Sequence, residues 1–304
     1  MTATLVATKA TAAVLEAPRR FTLRECLLPR AGDDDVLVRI QGCGICASSL
    51  PLWEGRPWFE YPLAPGSPGH EGWGVEVETG KRVALLSGSS FADHELVPRS
   101  AVVELPATLD DQPFPGEALG CAMNVFARSG VTRGQTVAIV GAGFLGLLLV
   151  QLCVSAGART LVYSRRSTSI GHARRFGAEV PAQALEAGCD VVIEAGGVAE
   201  TLELAAHLCR LRGRLVIAGY HQDGMRTVDV QLWNWRGLDV VNAHERDLAV
   251  KRAGVVAAVD AVATGRLDPS PLYTHLVPFR ALAEGFDLAR TRPENFIKAL
   301  AVSP

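Results

Sequence analysis

The stretch QTVAIVGAGFLGLLLVQLCVSAG, residues 135–157, limits the fold more than any other part of the chain. "TVAIV" is a run of β-branched and apolar residues, as suits a buried strand. It ends in glycines and passes at once into an apolar helical stretch that Gly157 stops. The alternation then continues. "RTLVYS" reads as a strand, "IGHARRFGA" as a short helix and "CDVVIEAGG" as a strand. "VAETLELAAHLCRLRG" reads as a helix, "RLVIAGY" and "LDVVNAH" as strands, and "LAVKRAGVVAAVDAVATG" as a helix. Strands alternating with helices imply an α/β fold with a doubly wound parallel sheet.

Gly141, Gly143 and Gly146, with Phe144 and Leu145 between the last two, form a G-x-G-x-x-G string. Glycines in turns are common, but this string follows a strand and opens a helix, the context a dinucleotide site requires. Gly141 permits a tight turn, Gly143 lets the backbone approach a pyrophosphate, and Gly146 lets helix and strand pack closely. The helix N-terminus then offers N–H groups and partial positive charge to the phosphates. The alternative is a plain strand–helix turn. The second strand ends in Tyr163-Ser164-Arg165-Arg166-Ser167, without the acid that bonds a ribose 2′-OH in NAD sites. A hydroxyl and two guanidiniums suit a 2′-phosphate, which favours NADP(H) over NAD(H). The competing interpretation is a solvated basic strand end that tolerates NAD. After "RLVIAGY", Gly219 is expected to let the cofactor approach, with Tyr220 and His221 either facing substrate or packing.

The first 125 residues differ. "DVLVRIQGCG", "GWGVEVETG" and "KRVALLSG" are short extended runs separated by Gly, Pro and Ser, which read as a β-rich unit. The tail "YTHLVPFRALAEGFDLARTRPENFIKALAV" holds short strands around one helix and is expected to fold back on that unit. The division expected is 1–127 with 271–304, and 128–270. A net charge of −2 gives no reason to expect nucleic acid or an anionic membrane as partner. No apolar run reaches the roughly 20 residues of a membrane span, and the first twenty residues lack the pattern of a secretory leader. Seven cysteines, an odd number, do not make a disulfide framework, so a reducing, cytoplasmic location is expected.

Two of those cysteines, Cys43 and Cys46, lie three apart in "GCGICASSLPLWEG". They could be a redox pair, metal ligands or buried thiols. No second closely spaced pair exists, which argues against a structural zinc site. Partners for Cys46 appear in "PGHEGWG", with His70 and Glu71, and in "PGEALGCAMNVF", with Glu117. Thiolate, imidazole and carboxylate drawn from distant positions are the donors of a catalytic zinc with an open coordination place.

"CGICASSL", "GHEGWG", "GEALGCA" and "VGAGFLG", in this order and spacing, resemble the medium-chain dehydrogenase/reductase superfamily, zinc-containing alcohol dehydrogenase-like family. The resemblance implies a GroES-like β-rich catalytic domain, a Rossmann domain and a C-terminal return to the first. It implies that Cys46 and His70 bind one catalytic Zn2+, with Glu117 at the third ligand position and Glu71 able to approach or replace a ligand. It leaves Cys43 and Cys121 as buried thiols and makes Ser48 a proton acceptor. It also implies a homodimer or homotetramer, with Trp233 and Trp235 before the edge strand that pairs across the dimer.

Departures from the family pattern are equally plain. The four-cysteine lobe is missing between "KRVALLSGSS" and "FADHELVP", so no structural zinc is expected. Ser49 stands where an Asp usually supports the zinc-bound His, and Pro51 where some relatives carry a relaying His. The segment "AEVPAQALEAGCD" is short against the family pattern, so one strand and helix of the sheet are expected to be trimmed. Trp53 and Trp58 either line a pocket or belong to the core. His94, His221 and His244 read as structural. The function implied is hydride transfer between NADP(H) and a small-molecule secondary alcohol or carbonyl compound, with a lean toward polyol, sugar or cyclitol-like metabolites. The alternatives are a zinc-free enone or quinone reductase and a non-catalytic NADPH-binding regulatory protein.

Overall fold

The computed structural model describes residues 9–303, so the start of the segment examined for a leader lies outside the described residues. They form two units. One runs to Ala118 and resumes at Tyr273; the other is Leu119–Leu272. The first unit therefore ends nine residues before the expected 127 and resumes two after the expected 271, and its first limit falls inside a helix rather than in a loop.

The first unit is built on strands β1 (Lys9–Ala17), β2 (Arg20–Leu27), β3 (Asp35–Gly44), β4 (Gly72–Glu76), β5 (Arg82–Leu85), β6 (His94–Pro98) and β7 (Val102–Glu104), with helix α1 (Leu50–Glu54) after β3. β1 and β2 make an antiparallel hairpin. Val36, Val38 and Ile40 alternate along β3 and pack with Val83, Leu85, Val97 and Val102, the period-two burial of a sheet face. Where the four-cysteine lobe is missing, a short loop closes on a buried carboxylate. The Ser87 hydroxyl, the Ser89 amide and the Ser90 hydroxyl donate to Glu95 at 3.0, 3.2 and 2.6 Å.

α2 (Gly116–Ser129) carries the chain into the second unit. There β8 (Thr136–Val140), α3 (Phe144–Ser155), β9 (Arg159–Tyr163), α4 (Ser167–Arg175), β10 (Cys189–Glu194), α5 (Ala199–Leu208), β11 (Cys209–Ile217), α6 (Val230–Arg236), β12 (Asp239–Asn242) and α7 (Leu248–Ala263) alternate as expected. The strands form a parallel sheet in the order β12-β11-β10-β8-β9. α3 is apolar on every side because it is buried: Leu147, Leu148, Leu149 and Val150 are all inaccessible. The trimmed strand survives as one bridge. Glu179 exchanges backbone hydrogen bonds of 2.9 Å with Thr160 and Val162 of β9, and no helix follows before β10.

The chain then returns to the first unit through β13 (His275–Pro278), α8 (Leu282–Thr291) and β14 (Ala299–Val302). These complete a sheet ordered β13-β14-β3-β4-β5-β7, with β6 on β3. α8 brings Phe286 against Trp53, Phe21 and Phe91, with ring centroids 5.3–5.7 Å apart. Trp53 is 1% exposed and belongs to this core, whereas Trp58 is 57% exposed.

Candidate metal centre and dinucleotide turn

The metal site begins where β3 ends. A Cβ on Gly44 would stand 1.8 Å from Glu71 Oε2, so only glycine leaves room for that carboxylate. Two residues on, Cys46 is extended (φ −88°, ψ 139°) and caps a single helical turn, Ala47–Ser49. α1 follows with Pro51 in its first turn, where the missing N–H costs nothing. Pro51 therefore serves helix initiation and offers no proton relay. The Ser48 hydroxyl donates to Cys46 Sγ at 3.2 Å.

His70 and Glu71 arrive on the segment leading into β4. The Glu71 carbonyl accepts from the Gly44 amide at 3.1 Å, which ties the two segments together. Among the described residues, Cys46, His70 and Glu71 bring one ligand atom each within 4.8 Å of one another. His70 Nδ1 lies 3.0 Å from the Pro68 carbonyl. A carbonyl only accepts, so Nδ1 carries the proton and Nε2 is left as a ligand. The support expected from the Asp that Ser49 replaces thus comes from backbone. Burial works against a charge on His70, but the hydrogen bond and charge of Cys46 outweigh it, followed by the charges of Glu71 and Glu117, and its pKa is pushed up to about 10. The imidazole sits where a positive charge is wanted.

Sequence reasoning missed Lys298, immediately before β14. Its Nζ lies 2.7 Å from Glu71 Oε1 and 2.5 Å from Oε2, with the lysine 4% and the glutamate 1% exposed. Burial lowers the lysine pKa, yet the charges of Glu71 and Cys46 raise it further, above the ordinary lysine value. The available signal was one lysine in the otherwise apolar run "FIKALAV". Both Glu71 oxygens face the buried ammonium. A buried carboxylate with a thiol and an imidazole, one ligand atom of each within 4.8 Å of the others, is a donor set that fits a divalent cation. With Lys298 cationic, such an ion balances a Cys46 thiolate and the Glu71 and Glu117 carboxylates.

Glu117 does not join the three-residue cluster. It is half-buried in the first turn of α2 and acts on His70 through its charge. Cys43 is 1% exposed in the core, and burial, then the Glu71 charge, raises its thiol well above the ordinary value. Cys121, expected to be buried, is half-buried.

In the second unit the glycine turn has the shape a pyrophosphate needs. Gly141 has φ 98° and backs directly onto Gly196, where a Cβ would meet the amide nitrogen at 2.6 Å. Gly143 caps α3, is exposed, and a Cβ there would project into open space. This cradle, at the free end of a twelve-residue helix, fits a dinucleotide. Arg165 is exposed and has no partner among the described residues, while Ser164 Oγ accepts from the Arg166 amide at 3.4 Å. A Cβ on Gly219 would strike the Gly197 amide nitrogen at 2.4 Å and Glu194 Oε2 at 2.6 Å, so glycine there makes room for the chain's own carboxylate.

Residues 32–106 match the alcohol dehydrogenase GroES-like domain. The chain is 26% identical to L-threonine 3-dehydrogenase of Bacillus velezensis over 88% of its own length and 92% of the relative's. It is 23% identical to L-galactonate-5-dehydrogenase of Escherichia coli, over 94% and 97% of the two chains. A zinc-binding dehydrogenase from Sinorhizobium meliloti 1021, solved bound to NADP, superposes with a TM-score of 0.80 at 28% identity, covering 97% of this chain and 99% of that one. The chain belongs to the medium-chain dehydrogenase/reductase superfamily, in its zinc-containing alcohol dehydrogenase-like family. The GroES-like match covers β3 to β7 and so includes Cys46, His70 and Glu71 of the family's first domain. The parallel sheet with its glycine turn is the Rossmann half. Among the described residues of this dehydrogenase-family chain, no helix is long and apolar enough to cross a membrane.

Proposed function

We propose that the chain is a zinc-dependent, NADP(H)-linked alcohol dehydrogenase or ketone reductase. The observation that carries this is the Cys46–His70–Glu71 cluster, with one ligand atom of each residue within 4.8 Å of the others. When bound, zinc supplies Lewis acidity for an alcohol or carbonyl oxygen, and the nicotinamide supplies or accepts the hydride. Cys46, His70 and Glu71 hold the cation, with the Pro68 carbonyl fixing the imidazole and Lys298 fixing the carboxylate. Glu117 adds negative charge. Ser48, hydrogen-bonded to Cys46, keeps its oxygen lone pairs available to accept the alcohol proton. Gly141, Gly143, Phe144, Leu145 and Gly146 form the phosphate turn.

Arg165, with Ser164 and Arg166 beside it, supports NADP(H), because an unpaired guanidinium at the end of β9 suits a 2′-phosphate. Relatives named for threonine, xylulose and galactonate support a small hydroxylated substrate. A homodimer or homotetramer is part of the proposal; the unpaired edge of β12, with Val240 37% and nearby Trp235 84% exposed, supports it. So is a cytoplasmic location. The zinc-free reductase loses ground to the metal cluster, since such chemistry needs no thiol, imidazole and carboxylate together.

The test is turnover of a panel of polyols, sugar alcohols and ketones with NADP+ or NADPH. Activity lost to a chelator and restored by zinc supports the proposal. Full activity after exhaustive chelation favours the enone or quinone reductase. No turnover of any substrate by zinc-loaded protein favours the non-catalytic binder.

A further inference from the structure

The sheet order reverses between β8 and β10, since β9 lies on one side of β8 and β10 on the other. Open α/β sheets bind ligands at this switch point, outside the carboxyl ends of the strands. Glu194 is the last residue of β10, paired in register with Val140, the last of β8, and is inaccessible to solvent. Its Oε1 accepts from the amides of Gly196 and Gly197, both at 2.7 Å, and from the Thr201 hydroxyl at 2.6 Å. Its Oε2 lies 3.1 Å from His221 Nε2. On its other side, His221 Nδ1 lies 2.9 Å from Arg226 Nε. Arg226 also bonds Asp223 and reaches the Gly197 carbonyl at 3.3 Å.

An arginine Nε–H can only donate, so Nδ1 of His221 must accept and its proton must sit on Nε2, facing Glu194. We propose that His221 is a positioning residue of the dinucleotide crevice that acts only as the neutral imidazole. In that form it joins the loop of residues 219–226 to Glu194, and through Gly196 and Gly197 to the back of the phosphate turn at Gly141. The proposal deepens, and rests on, the dinucleotide assignment above.

The consequence is a dependence on acidity. A proton added at Nδ1 sets two N–H donors against each other and breaks the bond to Arg226, which is left with Asp223 and the Gly197 carbonyl. The groups facing the imidazole are Glu194 from β10, the Thr201 hydroxyl from α5 by way of Glu194, and Arg226 and Asp223 on its own loop. His244, after β12, stacks on the adjacent Tyr220 with centroids 6.1 Å apart. Protonation leaves the Glu194 pair intact and removes the imidazole's tie to Arg226, so this wall of the crevice loosens while the sheet stays folded.

The experiment is fluorescence titration of NADPH and NADH onto the full chain, without substrate, from about pH 8 to about pH 5.5. Wild type, His221→Gln, His221→Leu and His244→Gln are compared. Glutamine can donate to Glu194 and accept from Arg226 without titrating. The expected result is binding about 10-fold weaker at the acid end for wild type, beyond the change seen in His221→Gln. Protonation of the cofactor's own phosphate is common to both and cancels in that ratio. His221→Gln keeps the neutral-pH affinity, His221→Leu binds about 10-fold more weakly throughout, and His244→Gln follows wild type. Equal acid slopes in wild type and His221→Gln, or unchanged neutral-pH affinity in His221→Leu, overturns the proposal. Hydrogen exchange of the 219–226 amides without ligand reads the same lock. Acid-triggered exchange there with no dinucleotide bound at any pH overturns the dinucleotide assignment itself, and the crevice role with it.

Discussion

Replacing Lys298 by Met removes the ammonium that pairs with Glu71 while keeping most of the side-chain volume. Charges about 2.7 Å apart at an effective dielectric of about 20 attract by about 6 kcal/mol. Part of that is offset because the ammonium no longer has to be desolvated, and breaking a buried pair from one side typically costs about 3–5 kcal/mol. In a unit of this size that corresponds to a melting point lower by about 6–20 °C. The structure makes a second, sharper statement. Glu71 pairs with Lys298 and also belongs to the cluster with Cys46 and His70. A divalent cation in that cluster therefore stands in for the missing ammonium. The loss in Lys298→Met is expected in full in chelator-treated protein and to shrink by at least half on adding zinc, measured by thermal unfolding of both proteins in both conditions. An equal loss with and without zinc would refute the idea that Glu71 belongs to the metal site, and would leave it a structural partner of Lys298 alone.

Arg165→Ala is expected to weaken NADPH about 10- to 100-fold in equilibrium titrations, the range of hydrogen bonds to a charged group, with NADH little changed; equal weakening of both removes the 2′-phosphate argument. Trp53→Ala empties the centre of the aromatic core and is expected to lower stability by about 3–5 kcal/mol in urea unfolding, with a loss below about 1 kcal/mol contradicting its placement there. The paired bonds from Arg99 to Glu76, at 2.7 and 3.0 Å, hold that carboxyl below its ordinary value of 4.5 against the opposing effect of burial. A lowered carboxylate pKa gives stability that is present above 4.5 and is lost as pH falls through the folded value. Arg99→Ala should therefore flatten the acid limb of the stability profile, and an unchanged limb would contradict the pairing.

The parts of this site that the sequence discloses are those set by local spacing. The strand, glycine turn and apolar helix around Gly141 need only neighbouring residues, whereas the trimmed strand at Glu179 shows only as a connection shorter than the family pattern. Cys46 and His70 stand out because their types and flanking glycines are unusual together. The rest depends on where distant segments meet. Lys298 reaches Glu71 only because β13, α8 and β14 return to β3. The support for His70 comes from a backbone carbonyl, which every residue has and no motif marks. Glu194 looks like an ordinary acid at a strand end until Gly196, Gly197, Thr201 and His221 converge on it. Whether Trp53 lined a pocket or filled the core turned on Phe286, more than 200 residues away in the chain.

Zinc content of the protein purified without added metal, measured by elemental mass spectrometry beside Cys46→Ser, tests the metal centre most directly. The account predicts about one zinc ion per wild-type chain and none in the variant, with NADPH-linked turnover lost along with the metal. A wild-type chain that carries no zinc and turns over at full rate would contradict it.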